Sequence, residues 1–132
     1  MKRSRRSLSL LLALGLTLLA CRSAAAPEPP WIAGEWEGIN HNAHPPHYWH
    51  LDLDAHPEGR VTGTFGINPA GGNPTRGTIE GSHRDFAVVL HASGTTREIS
   101  CIIHGVDTGD GLNTNIDCGW DVSALVFFWR VR

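Results

Sequence analysis

Residues 97–120 read Arg97-Glu98-Ile99-Ser100-Cys101-Ile102-Ile103-His104-Gly105-Val106-Asp107-Thr108-Gly109-Asp110-Gly111-Leu112-Asn113-Thr114-Asn115-Ile116-Asp117-Cys118-Gly119-Trp120. Successive side chains on a strand point to opposite faces, so Ile99, Cys101 and Ile103 share one face of a strand over 97–105. Ile116, Cys118 and Trp120 share one face of a strand over 113–120. The midpoint between the two cysteines falls at Gly109-Asp110, a turn dipeptide. Alternation and cysteine placement agree on one antiparallel hairpin with its tip at Gly109.

Working outward, short alternating runs follow one another with Gly, Pro, Asn and Asp between them, and no stretch beyond residue 30 has helical periodicity. Eight strands are expected, over 32–39, 47–54, 60–66, 76–82, 85–91, 97–105, 113–120 and 123–131. Links such as Ala55-His56-Pro57-Glu58-Gly59 are short enough to join antiparallel neighbours. The expected fold is therefore an all-β, eight-stranded antiparallel up-and-down barrel, with a β-sandwich as the alternative. Closure hides the apolar face and removes the sheet edges. The expected inward sets are Trp49, Leu51 and Leu53 in the second strand and Phe86, Val88 and Leu90 in the fifth. In the last strand they are Leu125, Phe127, Trp129 and Val131. That assignment turns Val126 and Phe128 outward, as a candidate contact for a homo-oligomer or a membrane surface.

The N-terminus is of a different kind. Lys2, Arg3, Arg5 and Arg6 precede an apolar run from Leu8 to Leu19, shorter than the roughly 20 residues of a membrane-spanning helix and of the length of a secretory signal. It ends in Leu18-Leu19-Ala20-Cys21, which resembles the lipobox of bacterial lipoproteins. The resemblance implies a signal peptide over 1–20, cleavage before Cys21 and acylation of that cysteine, a durable anchor at about 0.8 kcal/mol per buried methylene. Arg22 stands where this family's inner-membrane retention signal has Asp, which implies the outer membrane of a two-membrane cell. Residues 21–30, rich in Ala and Pro, read as a flexible tether, and 31–132 as one domain.

With Cys21 committed to lipid, Cys101 and Cys118 remain as a pair in a compartment where disulfides persist. The part after the signal carries seven Arg against thirteen Asp and Glu, a net charge of −6 with His neutral. A chain without a basic cluster is a poor partner for nucleic acid.

Gly34-Glu35-Trp36 resembles the Gly-x-Trp signature of the calycin barrels, the lipocalins, fatty-acid-binding proteins and avidins. Gly59-Arg60-Val61-Thr62-Gly63-Thr64-Phe65 is similar to the third strand of avidins. The resemblance implies a barrel whose interior holds a small ligand. Biotin is not the expected ligand, because Gly38 and Phe65 stand where avidins place a polar side chain and a tyrosine, and the fifth strand lacks their tryptophan. A small apolar or aromatic molecule is expected instead, against Trp36, Trp49, Phe65, Phe86, Trp120 and Trp129.

His41, His44, His47 and His50 recur at a spacing of three around Pro45-Pro46, and imidazoles so placed suit Zn, Cu or Ni. A metal-binding lipoprotein is thus a second expectation. An envelope interaction or inhibitor lipoprotein without a small ligand is the third. No enzyme is expected: Ser100 lacks a Gly-x-Ser-x-Gly setting, no His-Glu-x-x-His occurs, and Glu35, Glu37, Asp52 and Asp54 fall on outer strand faces.

Overall fold

The computed structural model describes residues 31–96, 98–119 and 124–131. Residues 1–30, with the expected lipidation site Cys21, and Trp120 lie outside the described residues. Eight strands close into a barrel in chain order: β1 (Gly34–Asn40), β2 (His47–Ala55), β3 (Arg60–Pro69), β4 (Thr75–Arg84), β5 (Ala87–Gly94), β6 (Ser100–Asp107), β7 (Leu112–Asp117) and β8 (Ala124–Arg130). Every neighbouring pair is antiparallel, and β1 pairs with β8 to complete the ring. The expected up-and-down barrel is the observed fold.

Alternation sets the faces in most strands. In β2, Trp49, Leu51 and Leu53 are buried between exposed Tyr48, Asp52 and Asp54. In β6 and β7 the inner set includes Cys101, Ile103, Leu112, Thr114 and Ile116. Ile102 pairs with Asp117, so Cys101 and Cys118 lie opposite each other one step further along, and they form a disulfide. The hairpin tip is where the cysteine midpoint placed it: Gly109 has φ +83° and its N–H donates to Asp107 Oδ1 at 2.8 Å.

Two inward assignments are overturned. Phe86 is 67 % exposed, because Arg84 pairs with Ala87 and leaves Asp85 and Phe86 as a two-residue turn, with Asp85 at φ +52°. In β8 the phase is opposite to the expected one: Ala124, Val126 and Phe128 are buried, and Leu125, Phe127 and Trp129 face out. Val126 and Phe128, at 2 % and 0 % exposure, are core residues and present no outward contact to another subunit. Both faces of Leu125-Val126-Phe127-Phe128-Trp129 are apolar, so period two alone cannot choose between them. The partners choose. Phe128 pairs with Gly38, and a Cβ on Gly38 would lie 2.9 Å from the Phe128 ring, so Phe128 fills space that Gly38 leaves.

The same phase carries Arg130 across Trp36. Its guanidinium carbon stands 4.4 Å from the Trp36 ring centroid, and its N–H groups donate to the carbonyls of Trp31 and Ala33. Trp36 in turn donates from Nε1 to Ile32 O at 2.9 Å, and Trp31 from Nε1 to Asp85 O at 2.7 Å. Ile32 is fully buried. Residues 31–33 are thereby strapped across one end of the barrel and seal it.

Two outcomes test this account. Arg130→Ala loses a cation–π contact and two charged hydrogen bonds at a solvent-facing site, and should lower unfolding free energy by about 1–2 kcal/mol in urea titration. Cys101→Ala with Cys118→Ala should cost about 3 kcal/mol in the same assay, through the larger freedom of the unfolded chain.

Candidate functional site

The inner side chains fill the barrel unevenly. From the sealed end to its middle, Trp36, Leu51, Leu53, Val61, Phe65, Ile79, Leu90, Ile103, Leu112 and Phe128 form one packed core. Near the other end, where the chain links β1 to β2, β3 to β4, β5 to β6 and β7 to β8, the packing stops. A cavity of about 450 Å³ opens there. That volume lies within the range of small-molecule pockets, roughly 300–1,000 Å³.

Its wall is the last inward residue of several strands. Trp49 from β2, Ile67 from β3, Ile116 from β7 and Ala124 from β8 give apolar surface, and Ile99 and the disulfide at Cys118 extend it. Asn40 at the end of β1 and Thr75 at the start of β4 are buried polar residues on the same wall. The β1–β2 and β3–β4 links add Asn42, His44 and Asn73 near the rim, and His47 adds a further polar side chain at the start of β2. The described lining contains no Asp, Glu, Lys or Arg. A site of this composition holds an uncharged, largely apolar molecule better than an ion, because an unpaired charge in such surroundings loses its solvation.

Trp49 differs from the other described tryptophans. It is 95 % buried, at 5 % exposure, and stacks on Phe65 with ring centroids 6.1 Å apart. Its indole Nε1–H has no acceptor among the described residues. A buried donor left unpaired costs about 1–3 kcal/mol. By contrast the N–H groups of Trp31 and Trp36 and the Thr114 hydroxyl all donate to backbone carbonyls.

The sequence-derived ligand set divides. Trp49 lines the cavity, while Trp36 and Phe65 are buried in the core below it. Phe86 is a turn residue, and Trp129, 37 % exposed, lies on the outer surface, since β8 runs in the opposite phase. The expected metal set divides as well. His44 and His47 line the cavity and His50 lies on the outer face of β2, beside exposed Asp52 and Asp54. Among the described residues no group of three or more His, Cys, Asp or Glu side chains is placed to hold a metal ion. Asn40, Thr75 and Ala124 are site residues that sequence reasoning missed. Asn40 carried a readable signal, as the inward-phase polar residue after Trp36 and Gly38.

No protein-family model matches the chain, and neither the curated proteins nor the solved structures yield a match.

The contrast between the tryptophans gives a comparative test. Trp36→Phe removes a donor and strands the Ile32 carbonyl, whereas Trp49→Phe removes a donor that no described residue accepts. Trp36→Phe should therefore lower stability by about 1 kcal/mol more than Trp49→Phe, read from urea midpoints at equal slope.

Proposed function

We propose that this chain is a binding protein of the cell envelope, lipid-anchored through Cys21, that holds a small uncharged apolar or aromatic molecule in the open end of its barrel. The observation that carries the reading is the cavity of about 450 Å³, apolar on its wall and polar at its rim, beside a packed lower barrel. Pockets with an apolar lining and a few placed polar groups are the usual form of small-ligand sites. The calycin-like resemblance of Gly34-Glu35-Trp36 supports it, because the closed eight-stranded barrel is compatible with that fold. The lipobox-like Leu18-Leu19-Ala20-Cys21 supports the anchor and an outer-membrane location, and the Cys101–Cys118 disulfide suits an oxidising compartment. We read the role as binding, because the described lining is largely apolar with a few polar side chains, the form of a site that holds a ligand.

Native mass spectrometry tests this reading on the chain from residue 22, exported to an oxidising compartment and incubated with envelope lipid extract. A bound organic mass, lost on denaturation, is expected. Ala124→Phe should abolish uptake while keeping the thermal transition within a few degrees, since Ala124 borders the cavity. Equal binding by wild type and Ala124→Phe, or a bare chain throughout, would overturn the proposal.

A further inference from the structure

Trp49, a residue of the cavity wall, carries one feature that an apolar ligand alone leaves unexplained: its Nε1–H is shielded from solvent and has no acceptor among the described residues. The indole N–H is a donor only and has no accepting capacity, so its complement is a hydrogen-bond acceptor. It belongs to a side chain stacked on Phe65 and buried to 95 %, so an acceptor reaches it by a small displacement of the neighbouring wall and satisfies a donor that is otherwise unpaired among the described residues.

We propose that the bound molecule presents one neutral acceptor oxygen, a ketone, ester, amide or ether, to Nε1 of Trp49. Its apolar body lies against Ile67, Ile116 and Ala124. This rests on the cavity being a ligand site and adds the chemical class of the ligand. Three observations define the class together. The donor excludes a plain hydrocarbon as the best fit, because a site built around a hydrogen bond discriminates against the analogue that lacks it. The described lining has no Lys or Arg, so a carboxylate would meet no fixed counter-charge there, only the imidazoles of His44 and His47. Asn40 and Thr75, the buried polar residues of the lining, are uncharged and able to serve a second polar group of the same molecule.

The test uses a pair of probes of equal shape, 2-acetylnaphthalene and 2-isopropenylnaphthalene, in which a carbonyl oxygen is exchanged for a methylene. Titration calorimetry gives both affinities for wild type and for Trp49→Phe, and the change in their ratio cancels the difference in probe solvation. The ketone-to-alkene preference should fall about fivefold or more in Trp49→Phe, the value of one neutral hydrogen bond. A second reading needs no variant: the indole N–H proton resonance of Trp49 should move downfield when the ketone binds and not when the alkene binds. An unchanged ratio, or equal resonance shifts with the two probes, overturns the acceptor proposal and leaves the cavity as an apolar binding site. Failure of both probes to bind wild type at their solubility limits would instead sink the ligand-binding reading. 2-Naphthoate, added as the anionic counterpart, should bind at least tenfold more weakly than the ketone, and equal binding would remove the neutrality requirement.

Discussion

The barrel depends on the position of one cation. Arg130, at the end of the last strand, sits over the ring of Trp36 in the first and donates to the carbonyls of Trp31 and Ala33. A meander closes only when its two terminal strands meet in a unique register, and β1 and β8 meet over a short stretch, with Trp36 opposite Arg130 and Gly38 opposite Phe128. A shift by one residue would take Arg130 off the Trp36 ring and move Phe128 away from the space that Gly38 leaves for it. The charged contact and the glycine thus specify the same register, one by attraction and one by the room it leaves for Phe128. The phase of β8, the placement of Phe128 in the core and the sealing of that end all follow.

Glycine has a second role where strands coil sharply. A Cβ on Gly77 would lie 2.0 Å from the carbonyl oxygen of Ser93 and 2.6 Å from the ring of Phe65. Backbone oxygen cannot swing aside as a flexible side chain can, so this position admits no larger residue without moving a strand. Through Phe65 that close approach reaches the stacked Trp49, and so the cavity wall. The tight coiling of the barrel and the posture of its candidate binding residue are coupled through one aromatic pair.

The fold was legible because its governing pattern is local. Trp49-His50-Leu51-Asp52-Leu53-Asp54 alternates without ambiguity, and the two cysteines flank a Gly-Asp tip at equal distance. The β8 phase was not legible, because five consecutive apolar residues satisfy either face and the decision lies in contacts with β1, some ninety positions away in sequence. Phe86 was misread for a smaller reason. A two-residue turn with Asp85 in the left-handed region carries no Gly or Asn to announce it, and an apolar turn residue reads as the start of a strand. The site shows the same division. Trp49 could be assigned inward from alternation alone, but the rim residues Asn42 and Asn73 come from links whose meeting at one mouth is a property of closure. The evenly spaced histidines looked like one set, yet β2 begins at His47 and carries His50 onto the outer face, away from His44 at the rim.

The strap across the sealed end also gives the molecule a base and an aperture. The polypeptide enters the barrel at Trp31, beside the β4–β5 turn, while the cavity opens at the opposite pole. The chain upstream of residue 31 therefore joins the barrel at its base. A solute reaches the aperture past the links that join β1 to β2 and β3 to β4, at the pole away from Trp31, and never has to pass the closed floor.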